Sequence, residues 1–167
     1  PSFIDTLNQL RPQLDYAHLF AKSMQNHKVV LGYIFLNQRG ETAQTCQATK
    51  LNPSGATQAG QLPPPIVSAE VAATYDLKQV FVGEGFAANL PLFKASATTT
   101  GHFNSEPEAD GVTRKVPLLY CYQGALYESL ALAVTRLALG VEKIEIDSKI
   151  TATGNSIVNL LLADKVI

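Results

Sequence analysis

The stretch YESLALAVTRLALG, at residues 127–140, constrains the fold more than any other part of the sequence. Four of its apolar residues fall on one face of a helix: Leu130, Val134, Leu137 and Ala138. This is the pattern of an amphipathic helix whose apolar side packs against a core. Gly140 fits the end of such a helix, because glycine adopts the left-handed conformation at little cost. We therefore predict a helix over residues 128–139.

Three other segments have the β-branched and aromatic composition that is typical of strands. The first is KVVLGYIFL at residues 28–36. The other two, residues 101–106 and 112–122, lie on either side of an Asp-Gly step. We predict that these three strands share one sheet, with the helix 128–139 packed on it.

Helices are also predicted in the first hundred residues. Ser2 can cap a helix through FIDTLNQL, with Asp5 near the capping-box position, and residues 13–25 repeat their apolar side chains at helical spacing. NLPLFKASA indicates a short helix, with Asn89 as N-cap and Pro91 in its first turn. The 167 residues fit one ordinary domain. We predict a single α/β or α+β domain, a mixed β-sheet with helices packed on it.

Residues 37–65 differ from the rest of the chain. They are polar, contain glycines and a triple proline, and show little helical or strand periodicity. Segments of this length without regular structure are usually functional or mobile loops. We interpret residues 37–65 as a long loop or excursion.

The charge balance bears on the partners of the chain. There are 13 Lys and Arg residues against 14 Asp and Glu residues, which gives a formal net charge of −1. No basic field exists to attract nucleic acid, so we expect no nucleic-acid partner. No apolar run approaches the roughly 18 residues of a membrane helix, and PSFIDTLNQL lacks the features of a signal peptide. Because the chain begins without Met, we interpret it as a piece of a longer protein.

Catalytic and metal-binding patterns are not recognisable. The histidines are His18, His27 and His102. They lack the spacing of a zinc site, and no nucleophile–base pair or Gly-x-Ser-x-Gly motif is present. The alternating acids that begin at Glu106 resemble a calcium loop, but the twelfth position is Pro117, which offers no carboxylate. We predict no metal and no cofactor, and a chain that is not an enzyme.

One alternative remains open. GEGFAA, at residues 83–88, follows a strand-like run and matches a loose dinucleotide-binding pattern, although Pro91 interrupts the long helix that the motif needs. The alternative hypothesis is a small α/β nucleotide-binding domain or enzyme that uses the loop from Gly83 to Gly85.

The two cysteines, Cys46 and Cys121, are too few for a disulfide scaffold or a four-thiolate zinc site. We favour two separate small apolar side chains. A single disulfide stays open as the alternative for an oxidising compartment.

The Asp110-Gly111 step predicts a tight turn, because glycine is free to take a positive φ. If a strand follows, Arg114 lies between Val112 and Val116 with its stem partly covered. From there its guanidinium reaches back to Asp110 or to a carboxylate near Glu106. We favour this ion pair as a clamp on the turn. Recognition of a ligand by His102, Asn104 and Arg114 is the alternative.

Residues 101–140 carry a family pattern: GHFN, a polar spacer, DGVTRKVPLL, an aromatic strand, YQGALYESLAL and AVTRLALG. This pattern resembles the type-two CHASE domain, in which a G-[HY]-x-N element precedes D-G-V-x-R-x-x-P-L. NHKVVLGYIFL also resembles the family's N-x-V-V-L-G strand. The family's Asp-x-x-F element is missing upstream, and the chain stops at ADKVI, so the resemblance implies a fragment, residues 1–167, truncated at both ends.

The resemblance implies a sensory function. Type-two CHASE domains are extracytoplasmic modules of bacterial adenylate cyclases, diguanylate cyclases and sensor histidine kinases of two-component systems. By this resemblance we expect a periplasmic sensor that responds to an unidentified small molecule or environmental signal. Membrane anchoring would come from segments outside the chain, and a homodimer is compatible with this interpretation.

Overall fold

The computed structural model describes residues 2–36, 46, 58–105, 108, 110–151, 154–162 and 165–166. Five helices lie within these ranges: α1 (Phe3–Leu14), α2 (Tyr16–Met24), α3 (Ala69–Ala72), α4 (Pro91–Ser96) and α5 (Leu130–Leu139). The strands of the same ranges are β1 (Val30–Leu36), β2 (Gln58–Ala59), β3 (Phe81–Val82), β4 (Gly85–Ala87), β5 (Thr99–His102), β6 (Leu119–Tyr122), β7 (Ala125–Glu128), β8 (Glu145–Thr151), β9 (Gly154–Leu162) and β10 (Lys165–Val166). The predicted class, mixed α/β with helices and sheets, is confirmed.

The strands form three sheets. The first has the order β2-β4-β1-β5, in which β1 runs parallel to β5 and antiparallel to β4. The second has the order β3-β6-β7, and the third has the order β10-β9-β8. Helix α5 follows β7 directly and packs against β5 and β1. The prediction of a helix packed on the first sheet is therefore confirmed.

The prediction of one sheet for all three candidate strands is wrong. β6 pairs with β3 and β7, whereas β1 and β5 belong to the first sheet. A local hairpin explains the difference, since Gln123 and Gly124 both take positive φ values, 51° and 81°, and join β6 to β7 through a two-residue turn. Positive φ at both central residues matches the right-handed twist of adjacent strands. Residues 112–117 form no strand, and Pro117 has no N–H to donate to a ladder.

Several caps follow the sequence pattern. Ser2 and Asp5 form a complete capping box on α1, and Gly140 ends α5 at a φ of 68°. The N-cap predicted for the fourth helix is wrong: Leu90 takes that position without a side-chain bond, and Asn89 instead donates from Nδ2 to the carbonyl of Gly32. Most of the predicted excursion lies outside the described residues, but Gln58–Ala59 form a short strand within it.

An aromatic core lies between the first and second sheets. The first sheet contributes Tyr33, Phe35 and Phe86, and the second contributes Tyr120, Tyr122 and Tyr127. The ring of Phe35 is central, because it stacks on Tyr120 with centroids 5.1 Å apart and meets Tyr127 edge-on at 5.4 Å. A separate apolar cluster joins Leu132 of α5 to Leu160 and Leu162 of β9.

Candidate functional site

His102 ends strand β5 inside the aromatic core. Its side chain is completely buried, and its ring lies 5.3 Å from that of Tyr120 and 6.0 Å from that of Phe35, measured between centroids. Because Tyr120 belongs to the second sheet, the imidazole lies at the contact between the two sheets. The backbones of His102 and Ser129 form an isolated parallel β-bridge. Because Ser129 is the N-cap of α5, the start of this helix also lies at the junction.

Three polar side chains at this junction have buried atoms without a hydrogen-bond partner among the described residues. These atoms are both ring nitrogens of His102 and the hydroxyl groups of Tyr33 and Thr100. Tyr33 lies opposite His102 in the pairing of β1 with β5, so the polar atoms are concentrated on two adjacent strands. Buried polar groups normally have partners, which makes this cluster unusual.

Burial decides the protonation of these groups. It lowers the pKa of His102 from 6.5 to about 4, so the imidazole is neutral at pH 7. Burial is also the largest cause that raises the pKa of the Tyr33 phenol far above its usual range, and the nearby Tyr127 and Glu128 add to this effect. The junction therefore contains neutral polar side chains at physiological pH.

Asn104 extends the pairing of the first sheet beyond the end of β5. Its Oδ1 accepts from the backbone N–H of Phe35 at 2.9 Å, and its Nδ2 donates to the carbonyl of the same residue at 2.8 Å. The amide thus replaces the backbone of one more strand residue, next to the bond from the Phe103 N–H to the Tyr33 carbonyl. This explains structurally why an asparagine stands two residues after His102.

Arg114 forms ion pairs at the predicted turn. Its guanidinium lies 2.8 Å from the carboxylate of Asp110 and 3.0 Å from that of Glu108, and Gly111 takes a φ of 79°. The bond from Arg114 is the largest cause that lowers the pKa of the Asp110 carboxyl. The structure contains the ion pair predicted between Arg114 and Asp110, and its role as a clamp on the turn stays a prediction.

The packed strand predicted around Arg114 is absent, although its side chain is partly covered as expected. Its side chain is half-exposed, and the flanking Val112 and Val116 are exposed as well. The physical reason is that residues 112–117 are not a strand and do not form a packed face. The structure therefore brings His102 and Asn104 together at the end of β5 and places Arg114 on an exposed turn. Recognition of one ligand by all three stays a prediction.

A buried ion pair next to the junction was missed in the sequence. Arg136 of α5 donates from Nε and a terminal nitrogen to the two carboxylate oxygens of Glu128, at 2.8 and 2.7 Å. Its other terminal nitrogen donates to the carbonyls of Val141 and Glu142. The bond to Glu128 is the largest cause that raises the pKa of Arg136. The signal that could have revealed this pair is that Arg136 is the sole charged residue of α5.

The start of α5 lies directly against β5. A Cβ atom added to Gly101 would stand 2.6 Å from the backbone nitrogen and Cα of Leu130. Only a glycine permits this approach, because real Cβ contacts do not come so close. Ser129, completely buried, caps the helix by accepting from the N–H of Leu132.

Cys46 and Cys121 form a disulfide, with their Cα atoms 5.8 Å apart. The preference for two separate thiols was therefore wrong. Cys121 lies in β6 within an apolar cluster against which Cys46 packs, so the core brings together two residues that are 75 positions apart. The bond attaches residue 46 of the predicted excursion to the second sheet.

The geometry does not support the alternative, a nucleotide-binding loop from Gly83 to Gly85. Gly85–Ala87 form strand β4, which pairs with β1, instead of leading into the helix that the motif requires. Gly83 serves packing, since a Cβ there would come within 3.0 Å of the Phe35 side chain.

The described residues contain no helix that is long and apolar enough to cross a membrane. Within the same ranges, no group of three or more His, Cys, Asp or Glu side chains could hold a metal ion.

A family model matches nearly the whole chain. It is the CHASE2 domain, and the match runs over residues 3–165. The chain therefore belongs to the CHASE2 domain family, whose members are extracytoplasmic, non-catalytic sensory domains. No curated protein and no solved structure matched the chain.

Proposed function

We propose that this chain is the periplasmic sensory domain of a membrane-anchored bacterial signal-transduction protein. It passes its signal to a cytoplasmic adenylate cyclase, diguanylate cyclase or histidine kinase domain outside this chain. The observation that carries the proposal is the family match over residues 3–165, because it covers both sheets of the aromatic core and all five helices.

The disulfide supports the extracytoplasmic part of the proposal. Disulfides persist in oxidising compartments such as the bacterial periplasm and are rare in the cytosol, where thiols are kept reduced. Cys46 and Cys121 are bonded to each other, and the chain has no other cysteine. A structural disulfide between two distant segments therefore favours the periplasmic side of the membrane.

The stimulus in this proposal is a small molecule or an environmental condition. The junction of His102 with the second sheet is the part of the domain best placed to respond, because a change there affects β5, β6 and the start of α5 together. A homodimer of the longer protein would give two such domains side by side.

The experiment measures the cyclase or kinase activity of the longer protein in membranes and compares two Asn→Ala variants. Asn104→Ala removes both bonds to Phe35, whereas Asn8→Ala makes the same chemical change on the exposed helix α1. At equal protein levels, we expect Asn104→Ala to change the yield of cyclic nucleotide or phosphorylated kinase several-fold and Asn8→Ala to leave it unchanged. An output that stays the same after Asn104→Ala, and also after excision of residues 3–165, would contradict the proposed function.

A further inference from the structure

We propose that the domain responds to acid through His102: protonation of this side chain favours separation of the first sheet from the second. The inference names acid as one stimulus of the proposed sensor. The opening in acid is measured on the purified chain alone. A negative result there would therefore leave the proposed sensory function untouched, and a positive result would not prove it.

The geometry makes His102 a contact between the sheets. It lies on β5, and the ring of Tyr120 on β6 meets its ring edge-on, at an interplanar angle of 62°. Both of its nitrogens are buried and lack a partner among the described residues. A neutral imidazole can stay in such a place, but a charged one needs acceptors or water for two N–H groups. Protonation thus favours any arrangement that opens this contact.

None of the described side chains that face or contact the imidazole is a carboxylate. β1 places Tyr33 opposite His102 and brings Phe35 against its ring, and β6 brings the ring of Tyr120. Burial raises the pKa of the Tyr33 phenol, so this group is neutral at physiological pH. From β7 the field of Tyr127 and Glu128 reaches Tyr33, the cross-strand neighbour of His102.

The charge of Glu128 contributes to the raised pKa of Tyr33, and Arg136 already bonds both oxygens of this carboxylate. A second cation at the junction would therefore stand beside an ion pair that is already neutral. A charge buried without a partner is strongly unfavourable, so opening relieves it.

The sign of the effect follows from proton linkage. The pKa of His102 is about 4 when the sheets are in contact, against 6.5 for an ordinary histidine. The separated form therefore binds more protons as the pH falls from 6.5 towards 4, and acid shifts the equilibrium towards it. The ratio of separated to closed forms should rise about tenfold between pH 8 and pH 5.5, and at most roughly 300-fold below pH 4.

The test uses the purified chain, the variant His102→Gln and the control His27→Gln, which makes the same change at an exposed position. The chain has no Trp and six Tyr residues, of which four lie in the aromatic core at the junction: Tyr33, Tyr120, Tyr122 and Tyr127. Tyrosine fluorescence therefore reports largely on this junction. We expect quenching by acrylamide to increase between pH 8 and pH 5 in the wild type and in His27→Gln, while far-ultraviolet circular dichroism stays constant. His102→Gln should lose this increase.

A direct titration keeps the proposal falsifiable if His102→Gln does not fold. Ring proton signals of the three histidines are followed by NMR in the wild type, with the signal of His27 assigned from its variant. The proposal requires one histidine to titrate at least one pH unit below the other two, or to begin titrating only as quenching increases. Three ordinary histidine titrations near pH 6.5 without any change in acrylamide quenching would overturn it. An equal increase of acrylamide quenching at low pH in the wild type and in His102→Gln would overturn it as well.

Discussion

Arg136→Met should lower the free energy of unfolding by about 3–5 kcal/mol, the largest loss that we expect from a single side chain. The substitution keeps an unbranched apolar stem but leaves the carboxylate of Glu128 buried without its bidentate partner. It also removes the bonds to the carbonyls of Val141 and Glu142, which connect α5 to the segment before β8. Urea denaturation at pH 7 measures the loss.

A double variant separates the ion pair from general packing. In Glu128→Met/Arg136→Met neither charge is left alone, and apolar replacement of a whole buried pair is often nearly neutral. We expect the double variant to be more stable than Arg136→Met. The coupling free energy of the double-mutant cycle should be clearly larger than the small deviations from additivity that independent sites show. Losses that simply add, or a loss for Arg136→Met below about 1 kcal/mol, would show that the pair does not hold α5 in place.

Gly101→Ala should destabilise the domain by about 3 kcal/mol or more, at the upper end of what overpacking causes. The added methyl group would meet backbone atoms of Ser129 and Leu130, and backbone cannot rotate away as a flexible side chain can. Relief requires α5 to move off β5, which also disturbs the contact of His102 with Tyr120. Urea denaturation and the melting temperature are the measurements.

Gly140→Ala is the matched control, because it adds the same methyl group where nothing lies within 4 Å. Its cost comes only from the left-handed backbone, with a φ of 68°, and should be about 1 kcal/mol. If Gly101→Ala proves no more harmful than Gly140→Ala, the close approach of α5 to β5 is wrong.

Local features of the fold could be predicted because a few neighbouring residues determine them. The capping box of Ser2 and Asp5, the left-handed Gly140 and the turn at Gly111 all depend on contacts within four residues. Spacing in the sequence reveals such contacts directly. The bounds of helix α5 could be predicted in the same way, but its packed face could not: Leu132 and Ala133 are buried, whereas Val134 of the predicted apolar stripe is exposed.

Strand pairing could not be predicted, because it depends on which strands compete to pair with the same strand edge. β6 had the composition of a strand, but its hairpin with β7 requires a positive φ at Gln123, a residue type that gives no turn signal. Pairing with the adjacent β7 then satisfies one edge of β6, and β3 satisfies the other. Composition alone does not distinguish this arrangement from a single sheet.

The site was predicted only in part for the same reason. The GHFN element pointed to His102 and Asn104, yet their burial depends on Phe35 and Tyr120, far away in sequence. The disulfide joins residues 75 positions apart, and no local pattern around Cys46 indicates its partner. Long-range packing therefore determined what these residues do.

The most direct test of the central claim is the oxidation state of Cys46 and Cys121 in intact bacteria that produce the full-length protein. Acid quenching and alkylation under denaturing conditions trap free thiols, and mass spectrometry then identifies the two peptides before and after reduction. Cys46→Ser provides the control, because it leaves Cys121 without its disulfide partner and open to alkylation. An extracytoplasmic sensory domain predicts that Cys46 and Cys121 are joined in one disulfide-linked peptide and become alkylated only after reduction. Free, fully alkylated thiols at both positions before reduction would contradict it.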